Sequence, residues 1–486
     1  MRPRHWLSCL YALAFAAAAM GAEGKGETQY MAVFLDGKKI GYAQNMREVA
    51  GGKVTTTTMM EMTMGRVGVP ITIRQKETGV ETEDGKPLGF SSMQDMGLAA
   101  TKVEGTVADG QIKLTVTTGE QSQTKTLEWP KDALLMEGVR LLSLKKGLKE
   151  GTTYGFRMFS PTFLQAMDAE LAIGSVKEVD LLGRVVKLTE VKTFTKAPTG
   201  ELKMTGYVDE QMNVKKVVSA IMGMSMEMVA CDKEFALSKN DVTDFFTQLL
   251  LTSPEPIDPT AAKSITYTLV PTKPDKKLSF PDTDGQSAKA GQNGSVILEV
   301  RPASGAAGAT FPYTGDDKGA LAALKPTRYV QSDNKKIIEL AKKAVGDTKD
   351  AAEAVKRIED FVAGYINRKD LSVGYASAVE VAESKQGDCT EHSVLAAALC
   401  RALGIPAQVV SGVAYVPSFG GKKDVFGPHA WVQAYVGGKW VGLDAAMRGY
   451  SAAHITLAVG DGEPSDFFGM INTFGYFKIA KVEVRK

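Results

Sequence analysis

Short runs of alternating apolar and polar residues dominate the chain from Thr28 to about Leu237. A period of two is typical of half-buried β-strands, and glycine-containing turns join such strands into antiparallel hairpins. Four turn signals separate the runs: Asp36-Gly37, Gly51-Gly52, Asp84-Gly85 and Asp109-Gly110. The pattern therefore predicts antiparallel β structure, which one helix near Ser160 to Leu171 interrupts.

Methionines alternate with other residues in two of these runs. The two sets are Met60, Met62 and Met64, and then Met222, Met224, Met226 and Met228. Period two places each set on one face of a strand, and we favour a core face because methionine fills irregular gaps readily. The alternatives are an adaptable groove for an apolar ligand, such as a lipid or a peptide, and a thioether site for Cu(I).

The pattern changes after the β-rich region and becomes helical from about Tyr329. The later elements predicted are a helix at 240–251, a proline-rich linker at 252–259, strands at 265–270 and 295–300, helices at 335–345 and 350–366, and a closing strand at 477–484. Together these elements predict an α+β protein whose C-terminal part follows antiparallel β-rich domains.

The same changes in pattern suggest the domain boundaries. We predict a signal peptide at 1–22, an antiparallel β-rich domain at 23–238, a helix and linker at 239–263, a small β-rich module at 264–319 and a C-terminal α+β domain at 320–486. Such a division is expected for a chain of 486 residues, which is too long for one ordinary core.

The first residues have the pattern of a secretory signal peptide. Arg2 and Arg4 precede an apolar run, Trp6 to Met20, that ends in the small residues Gly21-Ala22 and is short for a bilayer span. An uncleaved anchor is the alternative. We therefore expect cleavage near Ala22 and an exported protein, periplasmic or secreted, with no stable membrane span.

Charge is balanced along the rest of the chain. The sequence has 58 Lys and Arg against 56 Asp and Glu, and two of the arginines lie in the predicted signal peptide. A balanced charge gives no reason to expect nucleic acid or an anionic membrane as a partner.

Cysteine is scarce for an exported protein. Beyond the predicted signal peptide the chain has Cys231, Cys389 and Cys400, an odd number that excludes a disulfide scaffold. A free thiol in an oxidising compartment needs a reason, and catalysis by Cys389 would be one.

Cys389 is predicted to lie in the first turn of a helix. Asp388 can cap that helix and Glu391 can complete a capping box, while Gly404 and Pro406 end it near Leu403. Unpaired backbone N–H groups and the helix dipole favour a thiolate in the first turn, and the same N–H groups could stabilise an oxyanion.

A β-hairpin is predicted to bring a histidine and an aspartate together. His429 and Trp431 lie on one face of an alternating strand, and Gly437-Gly438 is a two-residue turn signal. In that register Asp444 lies opposite Trp431 and diagonal to His429, within reach of a side-chain hydrogen bond. We therefore predict a triad in which Cys389 is the nucleophile, His429 the base and Asp444 the group that orients it.

Two other assignments compete with this triad. His392 lies three residues from Cys389 on the same helix face, so it is either an alternative base or a hydrogen-bonded neighbour of the triad. We favour the second role for His392, and we assign the same role to Trp431. Cys389, His392, His429 and Asp444 could also be zinc ligands, but only Cys-x-x-His is local, and structural zinc sites normally have paired short-spaced ligands. We therefore expect neither a metal nor another cofactor.

Three blocks of sequence resemble the transglutaminase-like superfamily. They are Gly387 to His392 with Arg401 to Gly412, His429 to Tyr435, and Trp440 to Asp444, within roughly 320–486. The resemblance implies a papain-like α+β core with a Cys389–His429–Asp444 triad, as in family members that are peptidases, amidases, deamidases or cross-linking enzymes. Some members have lost activity.

Two functions follow from these features. The first is an exported thiol enzyme, a hydrolase or acyltransferase acting on amide bonds of proteins or peptides. The alternative is an inactive or weakly active scaffold whose β domains bind a peptide, a lipid or a partner protein. Residues 416–427, with Gly420-Gly421, are predicted to be a loop, either a lid over the site or a plain surface loop.

Overall fold

The computed structural model describes residues 26–66, 69–95, 100–118, 121–197, 200–241, 244–274, 276–369, 376–463, 466, 470 and 473–486. The predicted signal peptide therefore lies outside the described residues. Two compact units are present, one formed by described residues up to 65 and from 70 to 241, the other by those from Asp244 to Lys486. Within the described ranges, none of the helices combines the length and apolar character needed to cross a membrane.

The first unit is built on one large sheet, formed by the fifteen strands that its described residues contain. In chain order they are β1 Glu27–Leu35, β2 Lys38–Ala50, β3 Lys53–Arg66, β4 Val69–Thr82, β5 Pro87–Asp95, β6 Ala100–Ala108, β7 Gln111–Thr118, β8 Gln121–Glu128, β9 Ala133–Leu134, β10 Thr153–Ser160, β11 Gln165–Leu181, β12 Arg184–Ala197, β13 Gly200–Val208, β14 Val214–Ile221 and β15 Met224–Cys231. Their order across the sheet is 8-7-6-5-4-3-2-1-15-14-13-12-11-10-9.

The first and last strands of this sheet are neighbours. β1 pairs antiparallel with β15 from Tyr30 opposite Cys231 to Leu35 opposite Met226. The turn from β1 to β2 uses Asp36 and Gly37, both with positive φ (45° and 76°), as a tight hairpin requires. Since the remaining strands follow mostly as hairpins, the predicted antiparallel β-rich region is confirmed.

The alternating methionines face the interior of the first unit. Six of the seven are at most 8% exposed, and Met64 is half-buried: the six are Met60, Met62, Met222, Met224, Met226 and Met228. This burial agrees with the favoured interpretation of the two sets as core faces.

The helix predicted near Ser160 to Leu171 is wrong. Ser160 ends β10, a turn follows, and β11 begins at Gln165. The segment has good helix formers, but Met167, Ala169 and Leu171 are buried alternately with exposed neighbours. Packing on one face of the sheet thus outweighs local helix propensity.

The first unit has two described helices of its own, α1 Met136–Lys146 and α2 Lys233–Leu237. Helix α1 is not among the helices predicted from the sequence. The buried carboxylate of Glu81 on β4 accepts hydrogen bonds from the backbone N–H groups of Glu137 and Gly138, at 2.7 and 2.9 Å. This contact supplies the cap that Leu135 cannot provide at the start of α1.

A second buried acid lies on the same face of β4. Glu77, 6% exposed, accepts hydrogen bonds from Thr162 and from the amide of Gln75, the latter at 3.0 Å. Burial raises the pKa of Glu77 to about 8, although these hydrogen bonds oppose the shift. The interior of this sheet therefore holds a carboxyl group that is mostly protonated at neutral pH.

The second unit contains two smaller sheets and most of the helices. Its described elements are α3 Phe245–Gln248, β16 Leu251–Thr252, β17 Ser264–Pro271, β18 Gln286–Ala290, β19 Val296–Val300, α4 Lys318–Ala322, α5 Lys335–Val345, α6 Ala351–Tyr365, α7 Ala378–Ser384, α8 Cys389–Ala402, β20 Ala407–Phe419, β21 Lys422–Val436, β22 Lys439–Leu443, β23 His454–Gly460 and β24 Phe477–Arg485. One sheet has the order 16-21-20-23 with β22 also on β21, and the other has the order 18-19-17-24.

The C-terminal strand completes the second of these sheets. β24 pairs antiparallel with β17, from Ser264 opposite Arg485 to Pro271 opposite Phe477. The predicted module at 264–319 thus shares its sheet with the end of the chain, a long-range pairing that local sequence patterns do not reveal. The domain boundaries stay a prediction.

The loop predicted at 416–427 is wrong. β20 and β21 continue through it as a hairpin, with Phe419 opposite Lys422 and a two-residue turn at Gly420 and Gly421. Both glycines have positive φ (57° and 79°), so the glycine pair makes a tight turn. The segment is therefore a regular β-hairpin, and a lid role for it stays a prediction.

Helix α8 is the core element of the second unit. It packs against α5, α6 and α7 on one side and against β20 and β21 on the other. Every residue from Cys389 to Arg401 is buried. The predicted central, capped helix is confirmed, and with it an α+β fold class.

Candidate active site

Cys389 occupies the first helical position of α8. Asp388 accepts a hydrogen bond from the N–H of Thr390 at 3.1 Å, and Glu391 accepts one from the N–H of Asp388 at 2.9 Å. This is the predicted capping box. The Cys389 side chain is 1% exposed, so its thiol lies at the positive end of the helix dipole in a largely dry environment.

The hairpin of β21 and β22 has the predicted register. Val436 pairs with Lys439, and the ladder continues to Val432 opposite Leu443, immediately before Asp444. Nε2 of His429 lies 2.6 Å from Oδ2 of Asp444. Because α8 packs on β21, the strand that carries His429 lies against the helix that begins with Cys389.

Asp444 is held at every acceptor position of its carboxylate. Oδ1 accepts hydrogen bonds from the N–H groups of Ala446 and Met447, at 2.9 and 3.0 Å. Its own backbone N–H donates to Glu359 on α6, at 2.7 Å. Burial alone would raise the pKa of Asp444, but the imidazoles that bond Oδ2 hold it well below its usual range. The carboxylate is therefore ionised at neutral pH.

The ionised carboxylate fixes the tautomer of His429. A carboxylate only accepts, so Nε2 of His429 carries the proton and Nδ1 is the acceptor atom. Nδ1 is buried and has no hydrogen-bond partner among the described residues. Burial lowers the pKa of His429, against the opposing effect of Asp444. The ring stacks beside Trp431, with centroids 6.0 Å apart. This arrangement leaves a neutral imidazole with an unused basic nitrogen.

His392 makes a different hydrogen bond. Its Nδ1 lies 2.6 Å from the carbonyl oxygen of Asp388 and donates to it, while its Nε2 is buried without a partner among the described residues. Burial lowers the pKa of His392. The bond to Asp388 fits the favoured role of a hydrogen-bonded neighbour, although Nε2 keeps a lone pair that a base would use.

His454 is the site residue that sequence reasoning missed. It begins β23, and its Nε2 lies 3.0 Å from Oδ2 of Asp444, the oxygen that His429 also contacts. The pairing of β23 with β20 brings it there from outside the hairpin. Scarcity was the available signal, because His454 is one of three histidines beyond the predicted signal peptide and the other two, His392 and His429, belong to the predicted site.

A metal could in principle be held by three residues here. The candidate ligand atoms of His429, Asp444 and His454 lie within 4.8 Å of one another. This set differs from the one weighed from the sequence, because His454 replaces Cys389 and His392. Hydrogen bonds already explain the contacts of the two Nε2 atoms, from His429 and His454, with Oδ2 of Asp444. The residues present therefore do not require an ion.

The other two cysteines have different surroundings. Cys400, at the far end of α8, is fully buried, and burial raises the pKa of its thiol to about 12. Cys231 ends β15 in the first unit and is half-buried, with a pKa that burial also raises. Neither thiol has a histidine–carboxylate pair among its described neighbours.

The chain is similar to known proteins over part of its length. Three solved structures illustrate the likeness. A candidate cysteine protease from Cytophaga hutchinsonii is 20% identical, with a TM-score of 0.29, over 46% of this chain and 85% of that one. A β-barrel-like protein of unknown function from Brucella abortus is 12% identical, with a TM-score of 0.33, over 43% and 96%. A candidate protease from Parabacteroides distasonis is 13% identical, with a TM-score of 0.20, over 73% and 68%.

At these identities and TM-scores the likeness assigns no function. No curated protein sequence matches the chain. Residues 338–445, however, match the transglutaminase-like superfamily, and this segment contains Cys389, His429 and Asp444. Residues 338–445 are accordingly a domain of the transglutaminase-like superfamily.

Proposed function

We propose that the protein is a cysteine-dependent enzyme that acts on amide bonds of proteins or peptides, with Cys389, His429 and Asp444 as its catalytic residues. One observation carries the proposal. His429 donates Nε2–H to an ionised Asp444 and keeps its buried Nδ1 as an unused acceptor, on the strand packed against the helix that begins with Cys389. This is how a Cys–His–Asp site is prepared for proton transfer.

The chemistry follows from these roles. Nδ1 of His429 takes the thiol proton, and the Cys389 sulfur attacks the carbonyl carbon of an amide. The C–N bond of the tetrahedral intermediate then breaks, and His429 returns the proton to the leaving amine. Water or a second amine attacks the thioester, gives up a proton to His429 and releases Cys389. The product is an acid or a new amide.

The environment supports each role. The start of α8 favours the thiolate through its dipole, and Asp444 favours the imidazolium that forms beside it. Since the site is almost entirely buried, these electrostatic effects are stronger than they would be in water. Export, and therefore a protein or peptide substrate outside the cytoplasm, is part of the proposal.

Thiol labelling tests the nucleophile. Cys389 is 1% exposed, so a small reagent is required, and iodoacetamide with peptide mass spectrometry reports each cysteine separately. We expect Cys389 to react faster at pH 7 than Cys400 or Cys231, and Cys389→Ala to remove the fast phase. Cys400→Ala is the matched control and should preserve it. If Cys389 reacts no faster than the other two thiols in folded protein, the proposal fails.

The products distinguish hydrolysis from acyl transfer. A glutamine-containing peptide is incubated with the protein, with and without an added primary amine. Conversion of glutamine to glutamate or cleavage of the peptide indicates water as acceptor, and incorporation of the amine indicates transfer. Cys389→Ala should abolish whichever product forms.

A cavity in the first unit favours an additional binding role, as in the alternative function. It measures about 920 Å³, within the usual range for ligand sites. Its lining includes Tyr30, Leu181, Arg184, Lys215 and Phe235, which offer apolar surface together with cationic groups. Mass spectrometry of material co-purified with the protein, before and after Arg184→Glu, tests this role, and an empty cavity in both samples counts against it.

A further inference from the structure

We propose that His454 is a positioning residue of the candidate active site. Its Nε2–H holds Oδ2 of Asp444, the same oxygen that orients His429. The inference rests on the proposed function, in which His429 is the base. His454 belongs to β23, which pairs with β20, so it restrains Asp444 from an element outside the hairpin that carries both His429 and Asp444.

Both ring nitrogens of His454 have partners. Its Nε2 must carry a proton because the carboxylate of Asp444 can only accept, and the separation is 3.0 Å. Its Nδ1 accepts a hydrogen bond from the backbone N–H of Ser451 at 3.3 Å. His429 differs, because its Nδ1 has no partner among the described residues. His454 thus has no nitrogen left for a substrate and acts through Asp444.

Two aromatic rings restrain its position. The ring of Tyr450 lies 4.8 Å away between centroids, and Trp431 packs edge-on at 5.2 Å. Trp431 also stacks beside His429. His454 is 1% exposed, so water cannot easily replace its N–H. A rigid donor at this place fixes Oδ2 independently of His429.

That independence matters during proton transfer. The carboxylate of Asp444 has two donors on each oxygen: Ala446 and Met447 on Oδ1, and the two imidazoles on Oδ2. Without His454, Oδ2 would be held only by the histidine that must gain and lose a proton. Loss of orientation at a reacting group lowers rates steeply, by about 10²-fold for a misplacement of 1 Å.

His454 also shares the negative charge of Oδ2. Removing its N–H leaves that charge to His429 alone, so the imidazolium of His429 becomes more stable while its orientation becomes less exact. The other ionisable groups near this contact are Tyr450, whose ring lies beside that of His454, Glu359, which binds the backbone of Asp444, and His392 and Cys389 at the start of α8. Two signs are therefore expected together, a lower maximum rate and an acid limb displaced to higher pH.

Two substitutions separate the N–H from the ring. His454→Phe keeps a ring of similar shape but has no donor, whereas His454→Gln supplies an amide N–H close to the Nε2 position. The measurement is the rate of Cys389 alkylation by iodoacetamide from about pH 4 to 9. We expect the maximum rate to fall about 10- to 100-fold in His454→Phe, with the acid limb shifted to higher pH, and to stay within about threefold in His454→Gln.

Nitrogen NMR separates this inference from the proposed function. With ¹⁵N-histidine, four side chains are labelled in the whole chain, and the wild-type spectrum should contain His429 and His454 as Nε2–H tautomers. In His454→Phe the His429 signals should broaden or shift toward a mixture of tautomers. This result supports the positioning role even if Cys389 proves unreactive, which would refute only the proposed function.

Two results would overturn the inference. One is a His454→Phe protein with wild-type rate, pH profile and His429 signals. The other is an equal loss in the Phe and Gln variants when both melt like the wild type, because packing and not the N–H would then matter. Thr456→Val, a buried change on the same strand, is the control and should leave all three readouts unchanged.

Discussion

Asp444→Asn is the substitution whose effect the geometry specifies most closely. The amide is nearly isosteric with the carboxylate, and its oxygen can still accept from the N–H groups of Ala446 and Met447. The amide nitrogen then faces the Nε2–H groups of His429 and His454, donor against donor. His429 can relieve this clash by moving its proton to Nδ1. In that tautomer it can no longer accept the proton of Cys389.

The expected loss of Cys389 reactivity in Asp444→Asn has two parts. A hydrogen bond to a charged group contributes about 1.5–3 kcal/mol. At about 1.4 kcal/mol per pKa unit, losing the ionised acceptor reduces the thiolate–imidazolium form about 10- to 100-fold. The tautomer change adds to this loss, and the equivalent substitution in a serine protease triad costs about 10⁴-fold. We therefore expect a rate between about 10² and 10⁴ below that of the wild type.

The assay is carbamidomethylation of Cys389 at pH 7, followed by peptide mass spectrometry. Cys400, with a pKa near 12, reports within the same sample whether the fold has opened. Asp461→Asn is the matched control, since its carboxylate lies 3.4 Å from Arg401 and does not contact His429. An Asp444→Asn rate within threefold of wild type, in folded protein, would refute the reasoning about the tautomer of His429.

Three further predictions concern buried ionisable groups. Folding raises the pKa of Glu77 from 4.5 to about 8, so its contribution to stability is complete below pH 4.5 and is lost as the pH rises through 8. Glu77→Gln should therefore increase hydrogen-exchange protection of β4 at pH 8 more than at pH 5, and equal changes at both would contradict the assignment. Glu359→Ala leaves the buried N–H of Asp444 without its acceptor and should cost about 1–3 kcal/mol in denaturant unfolding, while Glu359→Gln, which keeps an oxygen there, should cost less. Arg401→Met removes the donors to the carbonyl oxygens of Ala407 and Lys325. We therefore expect this variant to melt at a lower temperature than the exposed control Arg485→Met. Equal melting temperatures would contradict a stabilising role for the Arg401 hydrogen bonds.

Local signals in the sequence predict much of the candidate site. The capping box at Asp388 and Glu391 depends on residues three apart, and the two-residue turn at Gly437-Gly438 sets the register of the following strand. Both features depend on residues that are close together in the sequence, so they can be predicted without knowing the distant contacts of the chain. That is why the hydrogen bond between His429 and Asp444 could be anticipated.

The features that sequence reasoning missed depend on distant contacts. His454 reaches Asp444 because β23 pairs with β20, and no local pattern encodes that pairing. The segment Gln165–Leu171 is rich in helix formers, but the sheet buries every second side chain and makes it a strand. Gly420-Gly421 is an exception, because it makes the same kind of two-residue turn as Gly437-Gly438 and the same local rule predicts a hairpin there.

The pairing of β24 with β17 affects how the protein can fold during synthesis. The last strand of the chain, Phe477–Arg485, completes a sheet whose first strand begins at Ser264. β1 pairs with β15, so the large sheet of the first unit becomes continuous only after Cys231 has been made. Contacts between distant segments form slowly because long loops must close first. The first unit can therefore assemble while the chain is still growing, whereas the sheet that contains β17 is completed only after residues 477–485 have been made.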